Sequence, residues 1–140
     1  MIVVLSKLIL LKVSSLQQCI SRIEEKRPHS AQALMENYDL QDIISINLER
    51  AIQICVDISS HILSGFPDRP PETMGESFPA LSQKHILPEE LSQNLRRSVG
   101  FRNISVHQYH KLDWEIIYKL ATDHLDNFKE FAKYVVLYKT

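Results

Sequence analysis

Apolar residues recur at three- and four-residue intervals along most of the chain, the period of an amphipathic helix and not of a strand. Leu5, Leu8, Ile9, Leu16, Ile20 and Ile23 form the first such stripe and predict a helix from about Ser6 to Glu25, ended by Pro28. Residues 29–38 read as a loop. A second helix is predicted from about Asp39 to Ser64, closed by Gly65 and Pro67. Its stripe of Ile44, Leu48, Ala51, Cys55, Ile58 and Ile62 is joined by Ile43, Ile46, Ile54 and Val56 round much of the remaining circumference. A helix this apolar is covered on more than one side, which places it at a bundle centre, at a dimer face, or at both. Asp42, Asn47, Glu49, Arg50 and Asp57 interrupt it, and Asp57, set among isoleucines, is expected to have a structural partner.

Pro67, Pro70 and Pro71 make residues 66–73 a stiff connector. A short helix is predicted around Met74–Lys84, anchored by Phe78 and Leu81. Pro88 at a first-turn position, with Glu89 and Glu90 behind it, marks the next helix start, because negative charge favours a helix N-terminus. Leu91, Leu95, Val99 and Phe101 carry that helix onward. A last helix is predicted from near Asp113, its N-cap, with Leu112 and Ile117 placed as a hydrophobic staple. Ile116, Leu120, Ala121, Leu125, Phe128, Phe131, Ala132 and Val135 continue its inner face almost to the C-terminus. About five helices with short connections and no convincing strand predict an all-α up-and-down bundle.

Composition supports this and narrows the class. At 140 residues, 44% of them apolar, the chain is expected to be one domain spanning 1–140 with a core that needs no staples. Having only 3 glycines argues against a many-turned β architecture. Cys19 and Cys55 stand in separate helices without metal-ligand spacing, so they read as small buried residues, and a reducing cytoplasm fits. The apolar start is interrupted by Lys7 and Lys12 and has no small-residue cleavage site, so an amphipathic helix is expected there and no membrane span. Net charge is −1, yet residues 84–112 alone carry five Lys/Arg against two Glu, a locally basic segment that permits a polyanionic substrate.

That segment holds the chemistry. Val99–Tyr109 gathers Arg102, Asn103, His107 and Tyr109. These groups are short, aromatic or able to transfer a proton, whereas a solvated helix face favours long flexible charges; the plainer reading is a helix end with one capping histidine. On an ideal helix Arg102 and His107 stand about 140° apart, whereas Arg102 and Tyr109 nearly eclipse. Either the helix unwinds near Ser105–His107 or arginine and histidine meet across a two-fold axis. Histidine can move the proton of a ribose 2′-hydroxyl and a fixed guanidinium can neutralise charge on the phosphate, which is what metal-free RNA cleavage needs. Asn103 can orient either group. Arg96, Arg97, Lys84, Lys111, His85 and His110 are candidate contacts to an RNA backbone, each also readable as an ordinary solvated side chain, and Tyr109 can stack on a base or pack on the last helix.

Arg-Asn-Ile-Ser-Val-His-Gln-Tyr at 102–109 resembles the Arg-x4-His-x-Tyr pattern of HEPN ribonucleases, specifically the HepT toxins. Residues 39–51, Asp57-Ile-Ser-Ser-His-Ile, Gly100-Phe-Arg-Asn-Ile and Leu112-Asp are similar to that family in the same order, so the resemblance covers nearly the whole chain. Phe101 and Gln108 depart from it without removing a working group.

The resemblance implies a HEPN bundle that forms a homodimer around a shared cleft. It implies a toxin of a type II/VII-like HEPN–MNT toxin–antitoxin pair, a metal-independent endoribonuclease without cofactor that cuts transfer or messenger RNA. Arg102 and His107 would be catalytic, with Asn103 as the supporting polar residue. The cognate MNT nucleotidyltransferase antitoxin would silence it by transferring AMP to Tyr109, placing bulk and negative charge beside Arg102. A different class, a non-catalytic helical module that binds nucleotide or a nucleotidyltransferase, leaves the histidine without a task. A structural adaptor leaves the whole motif without one.

Overall fold

The computed structural model describes residues 2–139, with side chains described for 7–138. Seven helices and one 3₁₀ turn follow one another, with no strand among the described residues: α1 (Ile2–Lys26), α2 (Ala31–Met35), α3 (Tyr38–Leu63), α4 (Ser77–Gln83), α5 (Glu89–His107), the 3₁₀ turn (Tyr109–Lys111), α6 (Trp114–Asp123) and α7 (Leu125–Lys139). The predicted all-α bundle is what forms.

α3 is the central helix. Ile44, Leu48, Ala51, Ile52, Cys55, Ile58 and Ile62 are buried along it, and it packs against α1, α4, α5, α6 and α7. Its near-continuous apolar surface therefore has a direct physical use, since neighbours cover it from several sides. Ile9, Val13, Leu16, Ile20 and Ile23 turn the stripe of α1 inward; Leu5 of the predicted stripe lies outside the described side chains. Asp57 has the expected partners, with Lys12 at 3.6 Å and the Gln53 amide donating to it at 2.9 Å. Cys19 and Cys55 are free and buried, and burial pushes both thiols up, which suits inert core residues.

Three boundaries differ from the periodicity. Residues 29–38 are not simply a loop. Ser30 accepts from the Ala33 amide at 3.1 Å and starts α2, and Asn37 caps α3 by accepting from the Leu40 amide at 3.0 Å. The buried Gln41 amide donates to the Leu34 and Met35 carbonyls, fixing the corner between the two helices. Pro88 is not inside α5 but is its N-cap, with extended φ −62 and ψ 148.

The predicted last helix is two helices, broken at His124. The side chains of His124 and Asn127 are bonded there at 2.9 Å, and the Asn127 amide donates to the His124 carbonyl at 3.1 Å. Its apolar spacing runs through the break because α6 lies on α2 and α3 while α7 lies on α1 and α5, so both need an inward face. Asp113 caps α6 as predicted, accepting from the Glu115 amide at 3.0 Å.

Candidate active site at the end of α5

α5 is held by its inner face and free on its outer one. Leu91, Leu95, Ser98, Val99, Phe101 and Ser105 are buried, while Arg96, Arg97, Gly100, Asn103, Ile104 and His107 are exposed. The helix is unbroken through His107 and ends at Gln108, whose φ −141 and ψ 51 turn the chain into the 3₁₀ segment. Unwinding at Ser105–His107 therefore does not occur. Arg102 and His107 remain about 140° apart on one helix, with His107 in solvent and Arg102 turned toward the protein body. The Arg102 Nε is buried and has no hydrogen-bond partner among the described residues, so part of this guanidinium is not spent on the fold.

Tyr109 does not share the face of Arg102, because the chain leaves the helix one residue before it. Its hydroxyl instead donates to Asp42 Oδ1 of α3 at 2.7 Å. Its ring lies edge-on to Trp114 of α6, with centroids 5.8 Å apart, and 40% of the residue remains accessible. Partial burial raises the phenol above its ordinary range; a hydrogen bond from Ser45 works against this, and the bond to and charge of Asp42 add to it. One turn earlier in α5, the Ser105 hydroxyl donates to Glu49 Oε2 of α3 at 3.1 Å. The motif is thus fastened to α3 twice.

Asp42, Ser45, Glu49 and Trp114 form this wall, and none of them was among the predicted site residues. The available signal was Asp42, Ser45 and Glu49 recurring at helical spacing in an otherwise apolar helix.

The predicted backbone contacts separate into two groups. Arg96, Arg97 and Lys111 are exposed on α5 and the following turn, beside the motif, although Arg97 is bonded to Asn94 at 2.9 Å; His110 is exposed in the same turn. Lys84 is committed elsewhere, paired with Asp68 and 4.3 Å from the Phe66 ring centroid. His85 sits in the turn after α4 with φ 62, a left-handed geometry. Between α5 and α6 runs a groove of about 330 Å³ with Phe101, Ile104, Ile116 and Leu120 along it and Arg97 and Lys111 at its rim. A larger concavity, about 710 Å³, lies at the other end of α3 around Phe66 and the proline connector and holds none of the motif residues. Among the described residues no group of three or more His, Cys, Asp and Glu is placed to hold a metal ion, and no helix is long and apolar enough to cross a membrane.

The family model for ribonuclease HepT-like proteins matches residues 16–135. The chain belongs to the ribonuclease HepT-like family. It is 32% identical over 127 residues to the mRNA nuclease HepT of Shewanella oneidensis, covering 91% of this chain and 95% of that one. To the tRNA nuclease HepT of Aphanizomenon flos-aquae it is 29% identical over 112 residues, 74% of this chain and 76% of that one. The solved structure of the tri-AMPylated Shewanella oneidensis HEPN toxin in complex with MNT antitoxin superposes with a TM-score of 0.84 at 32% identity, over 91% of this chain and 95% of that one. The HepT-like match includes α5, the 3₁₀ turn and α6, so the motif lies within the family's own fold.

Proposed function

We propose that this HepT-like protein is the toxin of a HEPN–MNT toxin–antitoxin pair and a metal-independent endoribonuclease acting as a homodimer of one-domain chains. The reading is carried by one observation: the complete Arg102–His107 pair stands at the open end of α5 with a guanidinium nitrogen left without a protein partner. The nuclease relatives support the reaction class, and the AMPylated toxin–antitoxin neighbour supports the regulation.

His107 takes the 2′-hydroxyl proton of the ribose, the 2′-oxygen attacks the adjacent phosphorus, and the 5′-oxygen leaves with a proton. Arg102 neutralises charge on the non-bridging oxygens, and Asn103 orients phosphate or imidazole. Since the two catalytic groups face different ways on one helix, the cleft forms where one copy's His107 meets the other's Arg102. Exposed Ile46, Ile104 and Val106 give that contact an apolar component. Arg96, Arg97 and Lys111 hold the RNA backbone on either side. The cognate nucleotidyltransferase silences the site by transferring AMP from ATP to Tyr109, which sits within the same turn and is accessible.

Labelled RNA incubated with the unmodified protein in excess chelator tests the reaction. Cleavage is expected to persist undiminished and to leave 2′,3′-cyclic phosphate and 5′-hydroxyl ends. Activity that disappears with chelator and returns with a divalent ion overturns the metal-free mechanism.

A further inference from the structure

We infer that Asp42 is the base that accepts the phenolic proton when Tyr109 is adenylylated. The inference rests on the proposed AMP transfer and adds to it a residue of the toxin itself. Tyr109 Oη donates to Asp42 Oδ1 at 2.7 Å, within the reach a base needs to the proton it removes. The geometry is set before any partner arrives. Asp42 is fixed in the first turns of α3, and Trp114 holds the ring edge-on from α6. Ser45, one turn along the same helix face, donates its hydroxyl to the Asp42 carbonyl at 3.4 Å and steadies that turn of α3. The oxygen therefore already faces an acceptor for its proton.

A phenol that stays protonated near neutrality is a poor nucleophile until its proton is taken. In the transfer, Oη forms a bond to the α-phosphorus of ATP, the bond from that phosphorus to the bridging oxygen breaks, pyrophosphate leaves, and the Oη proton passes to the Asp42 carboxylate. No other reactant is needed. Asp42 belongs to α3 and is given no step in the proposed RNA chemistry.

The test uses the full-length toxin with its cognate nucleotidyltransferase and labelled ATP, following AMP on Tyr109 by mass spectrometry in single turnover. Asp42→Asn keeps an oxygen that accepts the tyrosine hydrogen bond but cannot take its proton. It is expected to slow AMP transfer by about 100-fold, with the fold and antitoxin binding retained. Asp42→Glu is expected to recover part of the rate. A structural hydrogen bond alone predicts that Asp42→Asn is modified like wild type, and transfer within about threefold of wild type overturns the inference. Wild type that takes up no AMP overturns the regulatory reading and this base with it.

Discussion

Replacing His107 by alanine is expected to lower RNA cleavage by about 10²–10⁴-fold, the usual worth of a positioned general acid–base group. The fold should barely register the change. His107 is exposed in the last turn of α5 and the inner face of that helix is set by Leu91, Leu95, Val99 and Phe101. Its contribution there is that of a residue near a helix C-terminus, about 0.3–1 kcal/mol when charged. Melting temperature and dimer content measured beside activity separate the two effects. Cleavage that continues at the wild-type rate in a folded His107→Ala protein removes histidine from the mechanism. Activity lost together with the dimer would instead assign His107 to assembly.

Tyr109→Phe is expected to take up no AMP at this position while remaining folded and able to cut RNA. Phenylalanine keeps the edge-on contact with Trp114 and loses only the hydroxyl that donates to Asp42. A single, partly accessible hydrogen bond of this kind is worth about 0.5–1.5 kcal/mol. In cells the variant should stay toxic when the antitoxin is co-expressed, provided silencing is covalent. An AMP adduct found on another residue by peptide mass spectrometry refutes the choice of Tyr109.

The sequence and the structure agree best where a single physical signal dominates. The stripes of α1 and α3, the Asp113 cap and the need of Asp57 for a partner were all legible, because burial and charge pairing leave marks at fixed spacing. α2 was not, since five residues are too few to display a period and only Ser30 as a cap and good helix formers announce it. The break at His124 left no mark because neither glycine nor proline makes it, and the inward face resumes on the far side.

At the site, residue types were legible and their mutual placement only in part. The divergence of Arg102 and His107 follows from helix geometry alone. The turn of Tyr109 onto α3 does not. It depends on the helix ending at Gln108 and on a carboxylate 67 positions earlier in the chain. Asp42 appeared in the sequence as an interruption of an apolar helix, and what it interrupts for became visible only with α3 and the turn side by side.

That bond also bears on what the proposed AMP transfer would do to the molecule. A tyrosine joined to AMP through its oxygen no longer has a hydrogen to give, and the incoming phosphodiester is an anion facing Asp42, with Glu49 further along the same helix face. The turn loses a tie to the helix behind it and gains a repulsion in its place. On the proposed modification, adenylylation would act less like a stopper set in a rigid opening than like a latch released, freeing Tyr109 from α3.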